Sequence, residues 1–137
     1  MRQFTVSTES RDQFVDITAR VAAEVEDNND VLRGLVTVFV PHTTAGVTIN
    51  ENADPDVKAD MLKQLDAMVP WSQPFYRHAE GNSAAHVKAS MMGSSVTIPF
   101  DRSRLVLGQW QGIYLCEFDG PRERNVWVRV EGATTRD

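Results

Sequence analysis

Cysteine is all but missing, because Cys116 is the single one in 137 residues. One thiol cannot close an intrachain disulfide, so the core must hold the fold, as suits a reducing compartment. Long apolar runs are missing too. No stretch approaches the roughly 20 residues a membrane helix needs, and the N-terminus carries no apolar signal segment. Positive charge is in deficit, with 14 Lys and Arg against 19 Asp and Glu, a net charge of −5. No basic run offsets it locally, which leaves nothing to grip a nucleic acid. A Gly-x-Gly-x-x-Gly loop, a Walker loop and a Gly-x-Ser-x-Gly elbow are all absent, and with them the usual nucleotide cradles and serine nucleophiles. The expectation is a cytoplasmic protein, with no membrane or nucleic-acid partner, that handles a small molecule.

What is present is ordinary for a globular chain: 42% hydrophobic and 24% charged residues, enough for one core and one domain over residues 1–137. Gln3 to Ser7 alternates as a strand. A helical pattern opens at Ser10–Asp12 and runs through Phe14, Ile17, Val21 and Val25, an amphipathic helix over a sheet. Val31 to Val40 reads as a strand, with Gly34 as a bulge or close-approach point. Val47 to Asn50 reads as a short strand returning in hairpin fashion. Asp54-Pro55 is an N-cap followed by proline at the first helical position. The helix it starts has an apolar stripe of Val57, Met61, Leu62, Leu65 and Met68 and stops at Pro70. Trp71 to Gly81 is a loop, and Ser83 to Met92 a short helix closed by Gly93. Four strands follow: 95–100, 104–107, 110–118 and 125–130. Without regular βαβ alternation, the pattern predicts an α+β fold with mixed or antiparallel sheets, two longer helices and one short one.

Chemistry concentrates after the most hydrophobic strand, in Pro41-His42-Thr43-Thr44-Ala45-Gly46 and the following Glu51, Asp54 and Asp56. Asp54 and Asp56 have helix-start roles. Glu51 is left over, as a general base or a ligand for a hard cation. Thr43 and Thr44 with Gly46 form a turn whose N–H groups would bind an anion, or simply end the strand. The three histidines are His42, His78 and His86. They form one metal site with an open fourth position, or act separately as caps and substrate contacts. In Gly108-Gln109-Trp110-Gln111-Gly112, a Trp face would stack on a heterocycle and the amides would read its nitrogens, unless Trp110 is core. Arg122 and Arg124 flank a turn and suit phosphate, a hairpin surface or a subunit salt bridge. Alternation puts Cys116 on one face with Tyr114 and Phe118, a core or interface thiol or else a reactive one.

Taken together, these words resemble the YjbQ-like proteins, called secondary thiamine-phosphate synthase enzymes. The resemblance is carried by Pro41–Gly46 with Ile49-Asn50-Glu51, Tyr76-Arg77-His78, Ala85-His86-Val87-Lys88, Leu107-Gly108-Gln109-Trp110-Gln111 and Glu117-Phe118-Asp119-Gly120-Pro121-Arg122. It implies an α+β fold, a homotrimer, and a divalent metal (zinc or magnesium) on His42, His78 and His86 near a subunit interface. It further implies a metal-assisted transferase that joins a pyrimidine methyl diphosphate to a thiazole phosphate with release of pyrophosphate. Glu51 and His42 would be catalytic, while Thr43, Thr44, Trp110, Gln111, Arg122 and Arg124 would bind substrate. The alternatives are a metal-dependent hydrolase of a small phosphorylated or cyclic metabolite, with Glu51 activating water, and a non-enzymatic trimeric metal- or metabolite-binding protein.

Overall fold

Ile113, Leu115 and Glu117 leave their strand on one side, Tyr114 and Cys116 on the other, and all five are buried. A strand covered on both faces must lie between two layers. The computed structural model, which describes residues 1–28 and 30–134, shows those layers. The elements in chain order are β1 (Arg2–Ser7), β2 (Gln13–Asp16), α1 (Thr18–Asp27), β3 (Val31–Phe39), β4 (Ala45–Glu51), α2 (Pro55–Met68), α3 (Ser83–Met92), β5 (Ser95–Asp101), β6 (Arg104–Leu105), β7 (Gln111–Glu117) and β8 (Glu123–Thr134). One sheet has five strands in the order β1-β8-β3-β5-β6, and the other has three, β2-β7-β4. Every pairing among the described residues is antiparallel.

The larger core lies between the two sheets and α1. Phe4, Val36, Val38, Ile98, Phe100, Val126 and Val128 from the large sheet meet Val47, Ile113 and Leu115 from the small one, with Val21 and Val25 of α1. Each such side chain contributes about 1.5–3 kcal/mol by leaving water. A second cluster on the outer face of the small sheet packs Phe14, Tyr114, Cys116 and Phe118 under Leu65 of α2 and Ala85 and Ala89 of α3. Cys116 is therefore a core thiol, and burial pushes its pKa far above the ordinary value.

Several expectations need correction. The helix expected from Ser10 starts only at Thr18, because Gln13–Asp16 pairs with β7 and carries Phe14 into the second cluster. Asp16 then takes the Thr18 N–H at 2.9 Å and its hydroxyl at 2.6 Å, which sets the helix start. With α1 and α3 both 10 residues long, α2 at 14 residues is the one longer helix among the described residues. Nor does β4 return as a hairpin on β3. Pro41 has no N–H to continue the ladder, the His42 N–H turns back to the Val40 carbonyl at 2.9 Å, and β4 joins β7 in the other sheet. In α2, Leu65 is buried and Met61 and Leu62 pack beside it, but Met68 stays exposed. Asp54 does cap α2, accepting the Asp56 N–H at 2.9 Å. The Asp101–Arg104 turn places Arg102 and Ser103 at positive φ and leaves β6 only two residues long.

Candidate functional site

The two sheets are joined three times at one end of the sandwich, by Thr8–Asp12, by Val40–Thr44 and by Phe118–Arg122, and the candidate site forms there. Glu117 is the last core-facing residue of β7, and Arg124 the first of β8. The alternation of apolar residues ends on opposite charges, exposed 0% and 2% respectively. The guanidinium grips both oxygens of Glu117, by Nε to Oε1 at 2.9 Å and by Nη2 to Oε2. Thr8 Oγ1 donates to Glu117 at 2.8 Å and the Asp119 N–H at 3.0 Å. Burial alone would raise the Glu117 pKa, but the bonds from Arg124, Asp119 and Thr8 outweigh it and hold the carboxylate below its usual range. Arg124 Nη2 also donates to the Thr44 hydroxyl at 2.8 Å and its carbonyl at 3.2 Å, pinning the turn that carries His42.

Above this pair lies an open hollow of about 470 Å³ lined by Phe39 to Thr44, Ser94, Arg122 and Arg124. His42 shares a second, adjoining hollow of about 280 Å³ with Thr43, His86 and Ser90. His42 Nε2 accepts the Asn125 N–H at 2.9 Å, which places the proton of the neutral ring on Nδ1. Burial, and next the charge of Arg124, lower its pKa, so the ring is neutral at pH 7. His78 and His86 face each other with ring centroids 5.4 Å apart and planes at 80°. Two imidazoles on one tetrahedral zinc ion have centroids about 5 Å apart, given Zn–N bonds of about 2.0–2.1 Å. The centroid spacing of the pair is close to that value. His42 does not add a third ligand as it stands, since its Nε2 lone pair is occupied, and no three His, Cys, Asp or Glu converge on a metal position among the described residues.

Arg122 is half exposed and held by Asp119, through Nε to the carbonyl at 3.0 Å and Nη2 to Oδ2 at 3.1 Å. The same Asp119 oxygen accepts from Asn82 Nδ2 at 2.8 Å, which also reaches Glu80 at 3.4 Å. Glu80 stands 3.7 Å from His78. A polar chain therefore ties Arg122 to the histidine pair.

A family model described as UPF0047 protein YjbQ-like matches residues 2–133. The chain belongs to this family. Among curated relatives, it is 47% identical to the UPF0047 protein YugU of Bacillus subtilis, over 96% of this chain and 99% of that one. It is 44% identical to the UPF0047 protein MJ1081 of Methanocaldococcus jannaschii, over 95% and 93%. Among solved structures, an uncharacterised protein of the family from Clostridium acetobutylicum superposes with a TM-score of 0.92 at 51% identity, over 96% and 100% of the two chains. The conserved hypothetical protein TT1486 of Thermus thermophilus gives 0.88 at 43%, over the same shares. The α+β architecture is thus that of the YjbQ-like structures.

Within this family fold, the residues singled out from the sequence divide in two. His42, Thr43, His78, His86 and Arg122 gather at the sheet junction. Arg124 and Thr44 line the same hollow, with the Arg124 guanidinium already bonded to Glu117 and to Thr44. Glu51, Trp110 and Gln111 stand at the far end of β4, where Glu51 pairs in register with Gln111. There Glu51 Oε2 accepts the Asp54 N–H at 3.3 Å, and Gln111 Oε1 accepts the Gly108 N–H at 2.8 Å. Trp110 is 57% exposed and not a core residue. Sequence reasoning missed Glu117, Asn82 and Lys88. Buried Lys88 reaches Asp12 at 2.7 Å and Asp66 at 3.1 Å from the side of α3 opposite His86, and so fixes that helix. The signal for Glu117 was there: a charge in register with Ile113 and Leu115, matched by Arg124 in register with Val126 and Val128.

Proposed function

We propose that the junction end binds the phosphate groups of a small phosphorylated substrate, and that the reaction is a transfer of the thiamine-phosphate-synthase type. The observation that supports it is the shared hollow of His42, Thr43 and Arg122 beside the His78–His86 pair. Arg122 is an exposed fork donor already oriented by Asp119, suited to a phosphoryl oxygen. His42 offers its Nδ1–H to the same anion, because Asn125 occupies Nε2. A divalent metal belongs to this proposal, with His78 and His86 to hold it, and would supply charge stabilisation to a departing diphosphate. In the transfer, the methylene C–O bond of a pyrimidine methyl diphosphate breaks, its electron pair leaving with pyrophosphate. The thiazole nitrogen lone pair forms the new C–N bond. Arg122 and His42 stabilise the oxygens on which negative charge grows.

The hydrolase reading needs Glu51 beside the phosphate, and in one chain Glu51 lies at the other end of β4. A homotrimer and a cytoplasmic setting, where Cys116 stays reduced, are part of the proposal. The test measures pyrophosphate binding and thiamine phosphate formation from the two phosphorylated precursors, with and without zinc or magnesium. Arg122→Ala should weaken pyrophosphate binding about 10- to 100-fold, the loss of a charged hydrogen-bond pair of about 1.5–3 kcal/mol. Binding without turnover would leave a metabolite-binding protein. No binding by the unaltered chain would remove the reading.

A further inference from the structure

The larger hollow and the smaller one meet at a shared wall of three residues, His42, Thr43 and Ser94. Ser94 has no part in the binding or chemistry described so far. It is the exposed link between Gly93, which ends α3 at φ 91°, and the first residue of β5. The backbone is held on both sides of this link. The Gly93 carbonyl accepts the Val47 N–H at 3.1 Å, and the Ser94 carbonyl accepts the Val40 N–H at 2.8 Å. Ser94 is therefore anchored at the sheet junction, where the two hollows join. Other hydroxyls nearby are already engaged. Ser90 donates to the His86 carbonyl at 2.9 Å, and the Thr44 hydroxyl accepts from Arg124 at 2.8 Å. Among the described residues, no hydrogen-bond partner engages the Ser94 hydroxyl, the Thr43 hydroxyl or His42 Nδ1–H. The shared wall thus carries three unengaged donors.

The hollows differ in what they offer. The larger, about 470 Å³, has Arg122 and an apolar side of Phe39, Val40 and Pro41. The smaller, about 280 Å³, has His86, Ala89 and Ser90 and no guanidinium. It falls below the range of about 300–1,000 Å³ usual for organic ligands, and suits a compact charged group. A monophosphate fills one hollow only. Two phosphoryl groups joined by one oxygen reach across the shared wall. We propose that Ser94 is a specificity-determining residue, which selects an organic diphosphate over a monophosphate. The inner phosphoryl lies with Arg122 in the larger hollow, beside the apolar side that takes the organic part. The outer phosphoryl lies beside His86 in the smaller one. The Ser94 hydroxyl donates to the oxygens between them, where a charged acceptor makes each bond stronger than a neutral one. This rests on the phosphate reading above and adds to it which part of the ligand enters which hollow.

The experiment titrates the full chain by calorimetry with inorganic phosphate and with pyrophosphate, in magnesium buffer. The unaltered chain should bind pyrophosphate about tenfold or more tightly than phosphate. Ser94→Ala should weaken pyrophosphate binding about tenfold, the loss of one hydrogen bond to a charged group, and phosphate binding much less. Ser94→Thr and Ser94→Val share one shape, so the difference between them isolates the hydroxyl. The Thr variant should keep the preference for pyrophosphate and the Val variant should lose it. Urea midpoints check that each variant is folded, and a purely structural role for Ser94 would leave the ratio of the two affinities unchanged. Equal affinity of the unaltered chain for both anions would overturn the inference. So would a preference that survives in both Ser94→Ala and Ser94→Val. The phosphate reading would outlast either result. Binding of neither anion would remove that reading and this inference with it.

Discussion

Removing Glu117 while keeping Arg124 leaves a guanidinium, 2% exposed, with Thr44 as its remaining partner. The pair lies where the two sheets meet, and the Glu117 side of it is fully buried. Breaking a buried pair on one side costs about 3–5 kcal/mol, because the surviving charge is uncompensated. Glu117→Leu should therefore lower the urea unfolding midpoint by on the order of 2 M, at a slope of about 2 kcal/mol per M. The double variant Glu117→Leu/Arg124→Met removes both charges and fills the space with apolar atoms, so most of the loss should return. Two further effects follow. The Glu117 carboxylate is held below its ordinary value of 4.5, so the unfolded chain takes up its proton first as pH falls. The stability contributed is complete above 4.5 and disappears as pH drops through the lower, folded value. The double variant should lack that part of the acid slope. Matched urea titrations at several pH values measure both. A single variant that loses less than about 1 kcal/mol, or a double variant no better than the single, would refute the assignment.

Gly34→Ala should destabilise by about 1–3 kcal/mol in thermal unfolding, because its Cβ would stand 2.6 Å from the Gly132 Cα across the β3–β8 ladder. An unchanged midpoint would show that the strands separate there at no cost. His42 should titrate below 6.5 by NMR, its charged form disfavoured first by burial and then by Arg124. The sign is that of a histidine kept neutral: the unfolded ring gains its proton first, so this group costs stability as pH falls below 6.5. A midpoint at or above 6.5 would place the ring in solvent, free of Asn125.

Local chemistry was legible where one short stretch decides the outcome. Asp54-Pro55 starts α2 by capping alone, and Gly93 ends α3 at φ 91°. β2 was not legible, because its four residues share a 3.6-residue spacing with α1 and only the partner β7 tells them apart. The pairing of β4 was hidden for the same reason. The two arginines of the turn look alike in sequence, yet Arg124 shares the inward parity of Val126 and Val128 while Arg122 precedes the strand. That parity argument needs no structure. The division of the site was also implicit, since an extended run from Val47 to Asn50 already holds His42 and Glu51 apart.

The buried pair bears on what the hollow above it will accept. Arg124 lies in its wall, but Glu117 cancels most of that charge, and the opposed effects of the two on His42 show the cancellation. Arg122 is left to meet an anion, and Asp119 already shares its guanidinium. With His42 neutral, the single chain offers less than one full positive charge to a ligand. A monoanion suits that balance. A diphosphate, with at least two charges in a partly desolvated hollow, requires more. The nearby place for added charge is the His78–His86 pair, 5.4 Å between ring centroids and joined to Arg122 through Glu80, Asn82 and Asp119. Pyrophosphate affinity should therefore rise with a divalent ion and lose that rise in His86→Ala. Metal-independent affinity of equal strength would mean that the missing charge comes from elsewhere, and the histidine pair would lose its part in binding.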